Sequence, residues 1–179
     1  MKRIVNLVAI CAVVLLFSGM APENSSTNSA WIKAIVNKLE VSDYFLTTDV
    51  EGNLVITGNF INQATFQDKT LHAVGNFDIF VAKYTPGGTL LWVQQGGGSE
   101  YDMANVIRTD NIGNIYITGY ITGISFFGDY IIKAKGKHNV FTGKYNKDGK
   151  LQWIQADGAE IYYEINPKKR EKLLSKLFD

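Results

Sequence analysis

The chain is poor in the residues that most often carry chemistry. Its 179 residues include one cysteine, two histidines and three prolines. Cys11 lies in an apolar run near the N-terminus, so a chain cleaved after that run has no disulfide, no thiol nucleophile and no thiolate metal site. His72 and His138 sit outside any zinc-ligand pattern and read as loop or surface histidines. There is no Gly-x-Ser-x-Gly, no His-Glu-x-x-His and no phosphate loop. The formal net charge is +1, which leaves no global field for nucleic acid. Scarce proline with 17 glycines suits short strands joined by many turns.

The N-terminus reads as a targeting segment. Lys2 and Arg3 precede an apolar stretch from Ile4 to Phe17, broken only by Asn6. Ser18, Gly19, Met20 and Ala21 then supply small residues, with Pro22 next. Residues 1–21 are therefore expected to be a secretory signal peptide, implying a periplasmic, extracellular or cell-surface protein. An uncleaved membrane anchor is the alternative, although the run is short for a span. Ile10 stands before Cys11 where a lipoprotein would carry a small residue. Residues 22–30 are small and polar and read as a linker.

What is abundant is repetition. Trp31, Trp92 and Trp153 stand 61 residues apart. Between them Asp49, Gly52, Asn53, Ile56, Thr57 and Gly58 recur as Asp110, Gly113, Asn114, Ile117, Thr118 and Gly119. Phe66 recurs as Phe127, Gly75 as Gly136, Phe80 as Phe141, Lys83 as Lys144 and Gly88 as Gly149, with no insertion or deletion. A period this strict describes an array of one supersecondary unit.

Each copy contains four strand-like segments rich in β-branched and aromatic residues. They are expected at 44–48, 53–60, 79–84 and 90–94, and again at 104–109, 114–120, 140–145 and 151–155. Asp49 and Asp110 open tight turns in which the carboxylate accepts backbone N–H groups, and Gly52 and Gly113 supply positive φ. The longer link between the second and third strands carries Phe66 or Phe127, expected to plug the space between sheets. Gly96, Gly97 and Gly98 read as a flexible link between units. Four antiparallel strands in tandem are the blades of a β-propeller, so the fold class is all-β, with blades at about 44–95 and 105–156 in a repeat region of 31–160.

Two motifs carry a family resemblance. Asp110-x-x-Gly113-Asn114-Ile115-Tyr116-Ile117-Thr118-Gly119 resembles the first half of the bacterial β-propeller repeat called SBBP. Asp78-Ile79-Phe80-Val81-Ala82-Lys83-Tyr84, continued by Gly88 and Trp92, resembles its second half. The resemblance implies a propeller blade in an exported or surface-associated bacterial protein, and no single activity. Asn139 replaces Asp78 in the second copy, and Ile35-Val36-Asn37 stands where the glycines stand one period later.

Only two blades are complete, whereas propellers close with about 4–8. Both inter-blade faces are therefore expected to stand uncovered. Residues 161–179 leave the pattern. Asn166 can cap a helix that Pro167 begins, with Leu173, Leu174, Leu177 and Phe178 on one face and lysines around it. This tail is expected to cover the last blade, to lie on an anionic membrane, or to be unselected sequence.

The periodic residues read as structural. The Asp49 and Asp110 turns offer too few acids for calcium. The tryptophans read as core rather than a sugar-stacking ladder. Lys83 and Lys144 read equally as channel-lining cations or as lysines snorkelling from strand ends. No catalytic, cofactor-binding or metal-binding residue is assigned. The expected role is a non-catalytic binding or surface-interaction module that self-associates, pairs with other blades, or takes a protein or glycan ligand. A glycan hydrolase or lyase needs acids converging from many blades, and a structural adhesin or spacer is a further alternative.

Overall fold

The computed structural model describes residues 41–164 and 166–178. The segments read as a signal peptide (1–21) and a linker (22–30), with Cys11 and Trp31, fall outside those residues. Strands β1 (Val41–Thr48), β2 (Leu54–Phe60), β5 (Asp78–Tyr84) and β6 (Leu90–Gly98) pair in that order, all antiparallel, as a first blade. Strands β7 (Met103–Thr109), β8 (Ile115–Ile121), β11 (Asn139–Tyr145) and β12 (Leu151–Ala156) repeat the arrangement as a second. The antiparallel, propeller-like blades expected from the period are therefore present, in unclosed sheets.

The link between second and third strands is not a loop. It folds as a hairpin in both copies, β3 (Gln63–Phe66) with β4 (Lys69–His72), and β9 (Ile124–Phe127) with β10 (Tyr130–Lys133). Phe66 and Phe127 are buried and pack on the third strands, 4.9 Å from Phe80 and 5.2 Å from Phe141 between ring centroids.

The glycine run is also not a flexible link. Gly96, Gly97 and Gly98 extend β6 past the first blade and pair with Phe127, Phe126 and Ser125 of β9. A Cβ on Gly96 would enter the Phe127 ring, and one on Gly98 would strike the Ile124 carbonyl. The run is glycine because two blades meet there at backbone distance. It joins seven strands into one sheet, which ends at β13 (Glu160–Tyr163) paired with β10.

Burial separates the two copies. Every residue of β2 and β5 is buried, whereas β8 alternates between buried Ile115, Ile117 and Ile121 and half-buried Tyr116, Thr118 and Tyr120. One core crosses the seam, joining Val55, Ile79, Val81 and Trp92 of the first blade to Ile107, Ile117 and Phe141 of the second. The opposite face of the first blade is buried too, with Leu54, Ile56, Phe80 and Tyr84 in a second core. The expectation of two uncovered faces is thus corrected. Among the described residues it is the trailing face of the second blade that is open, and it carries Tyr116 and Thr142 where the first blade has Val55 and Val81.

Helix α1 (Pro167–Phe178) starts as its sequence requires, with the Asn166 side chain accepting the Lys169 amide at 3.2 Å. Arg170 ties it to the β9–β10 turn, donating to the Gly128 carbonyl at 3.1 Å and lying 6.0 Å from the Phe126 ring centre. Among the described residues no helix is long and apolar enough to cross a membrane.

Candidate functional site at the blade seam

The periodic residues converge at one end of each blade. In the first, Asp49 closes the β1–β2 turn, its Oδ1 accepting the amides of Glu51 and Asn53, both at 2.9 Å. Gly52 holds φ at +78° in this turn. The other carboxylate oxygen accepts the Asn53 amide group at 3.1 Å and pairs with Lys83 Nζ at 2.7 Å. Lys83 neither snorkels nor faces a channel: its side chain is 4% exposed and that of Asp49 1%. Burial would raise the Asp49 carboxyl, but hydrogen bonds from Lys83 and Asn53 outweigh it and hold the group below the usual value.

The second blade completes this site. Its β11–β12 turn places the Lys147 carbonyl where it accepts from Lys83 Nζ at 3.2 Å and from Trp92 Nε1 at 3.1 Å. Gly149, with φ +83°, rests on the Trp92 indole, where a Cβ would clash. Thr109 adds a bond to the Thr48 carbonyl at 2.8 Å, and Asn59 accepts the Ala104 amide at 2.8 Å. A cleft of about 370 Å³ opens over this seam between Glu51, Lys83, Trp92 and Asp148.

The same residues one period later lie open. Asp110 accepts the amides of Ile112 and Asn114 at 3.1 and 2.8 Å, and Gly113 holds φ at +86°. The Asn114 side chain, first among several donors, lowers the Asp110 carboxyl. Lys144 forms no ion pair with Asp110 among the described residues and lies 5.3 Å above the Tyr116 ring. Trp153 is half-buried and meets Tyr116 edge-on at 6.2 Å. Gly58 and Gly119 are not part of this end. They face the bulged inner strands, where a Cβ would strike the carbonyls of Asp43 and Met103.

Sequence reasoning missed two buried acids beside the glycine run. Asp102 accepts the Gly98 and Thr122 amides at 2.7 and 3.0 Å and the Ser125 hydroxyl at 2.8 Å. Burial drives its carboxyl up to about 6, against those three donors, and the nearby Asp78 charge adds to the rise. Asp78 is raised by burial as well, opposed by Gln95 and the Val74 and Gly75 amides. The unfolded chain loses the Asp102 proton near 3.8, while the folded chain holds it to about 6. Between these values the folded state binds more protons, so its stability falls as pH rises from about 4 to about 6 and levels above. We expect Asp102 to contribute a fall on the order of 3 kcal/mol at about 1.4 kcal/mol per unit. Urea titrations at pH 4.5 and 7 check this, and Asp102→Asn should flatten the difference.

Among the described residues no cluster of three or more His, Cys, Asp or Glu is placed to hold a metal ion. A comparison with known protein families finds no match. In a 151-residue match that covers 73% of its length, the chain is 27% identical to an uncharacterized WD repeat-containing protein of Acanthamoeba polyphaga mimivirus. It spans only 11% of that relative. All three tryptophans here are followed by Ile or Val, so the repeat lacks the Trp-Asp dipeptide itself. The likeness and the sheet architecture agree on a repeat, propeller-like fold.

Proposed function

We propose that the chain is an exported, non-catalytic interaction module of bacterial SBBP type, and that its trailing blade face binds another propeller blade, from a second copy or a separate protein. One observation carries the reading. Asp49, Lys83 and Trp92 are capped by a turn carbonyl and a glycine of the next blade, and Asp110, Lys144 and Trp153 repeat that set without a cap among the described residues. Tyr and Trp on a half-exposed face are also residue types that dominate interface energetics. The apolar segment at 4–17 and its basic flank support export. Asp102 is committed to backbone amides at the seam, and one oxygen of Asp78 to the Val74 amide and the Gln95 side chain, which favours a binding role over hydrolysis.

Trp153→Arg tests the face without touching the covered seam. Association should weaken by at least about tenfold, measured by sedimentation, with the β-rich circular dichroism spectrum of the chain retained. Undiminished association would remove this face from the account.

A further inference from the structure

We propose that the groove on the outer side of the seam is a saccharide-binding site, formed where β6 of the first blade faces the β9–β10 turn, the β11–β12 turn and β13 of the second. Its volume is about 380 Å³, within the range of about 300–1,000 Å³ common for small-ligand sites. None of its residues belongs to the trailing face, so it stands or falls separately from that surface.

An aromatic platform forms one wall. Tyr163 is 60% exposed and packs on Tyr130 with ring centroids 4.8 Å apart at 47°. Tyr130 is held in turn, its hydroxyl donating to the Gln152 carbonyl at 3.1 Å. A platform fixed before binding loses little side-chain freedom when a ring stacks on it. A pyranose offers such a ring, with C–H groups on its face and hydroxyls at its edge.

The floor supplies the edge contacts. Tyr145 lines the groove at 3% exposure, and none of the described residues hydrogen-bonds its hydroxyl. That hydroxyl is not among the buried polar atoms that lack a partner, so it meets solvent in the groove, where a ligand hydroxyl can take the place of water. Gln94 adds a solvent-facing amide that can donate and accept. Gln95 beside it is already committed to the His72 carbonyl and Asp78, at 2.7 and 2.6 Å, and serves as wall. The charged side chains that line the groove, Asp129 and Lys150, are opposite in sign. That balance favours an uncharged polyhydroxyl ligand over a phosphate or nucleotide.

Calorimetric titration of the full-length chain with cellohexaose, xylohexaose, maltohexaose and chitohexaose tests the site. At least one should bind with a Kd of about 0.01–1 mM. Tyr163→Ala should weaken it by about tenfold or more. Tyr145→Phe keeps the ring and fold, and should weaken binding several-fold while Trp153→Arg leaves it unchanged. Failure of all four saccharides to bind, or equal binding by wild type and both tyrosine variants, overturns the proposal.

Discussion

Asp49→Ala is expected to cost about 3–5 kcal/mol, the largest loss from any turn substitution in the chain. Three effects coincide there. The change strips the counter-charge from Lys83, whose side chain is only 4% exposed. It removes the acceptor for the Glu51 and Asn53 amides that shapes the turn. It also frees Lys83 from the position in which it binds the Lys147 carbonyl, so the second blade loses a contact as well. Asp110→Ala removes the same turn acceptor but strands no buried cation, and should cost far less. Urea unfolding of both variants gives the comparison directly. Lys83→Met removes charge and counter-charge problems unequally, because it leaves Asp49 with its amide donors, and should fall between the two. Equal losses for Asp49→Ala and Asp110→Ala would mean that the second blade does not bury the first pair.

Gly98→Ala is the second large effect, expected at about 3 kcal/mol, the upper end of the usual overpacking cost. Its Cβ would meet the Ile124 carbonyl and the Ser125 backbone, neither of which can rotate away. The strand pairing that joins β6 to β9 would have to part, and with it the Asp102 contact to the Gly98 amide. Gly136→Ala provides the control, since nothing lies within 4 Å of its Cβ and only its φ of +86° opposes a side chain. That change should cost about 1 kcal/mol. Thermal unfolding of the two variants, followed by far-ultraviolet circular dichroism, separates close packing from backbone preference.

The blades were legible because the period supplies two readings of every element. Strand positions agreed within a few residues, and the Asp49 and Asp110 turns have local chemistry that a sequence displays. The hairpins were missed for a local reason. In the first copy their turns use Asn62 and Gln67 at positive φ, +57° and +53°, where no glycine signals a turn. In the second copy Gly123 and Gly128 occupy those places, so aligning the copies held the signal. Gly96, Gly97 and Gly98 misled because glycine marks both looseness and close approach, and only the neighbour Phe127 distinguishes them. The buried pair of Asp49 and Lys83 joins residues remote in sequence. Its one trace was that both recur, which by itself does not say whether they touch. The contrast between a covered and an open copy is a property of place in the array, and identical residues cannot show it.

The most direct test of the central claim is the solution mass of the full-length chain by light scattering, with circular dichroism on the same sample. Two blades per chain and about 4–8 blades per closed propeller predict a discrete, β-rich species of two to four copies. A monodisperse monomer at high concentration would contradict the claim, because the Asp110, Lys144 and Trp153 face would then be stable with nothing seated on it.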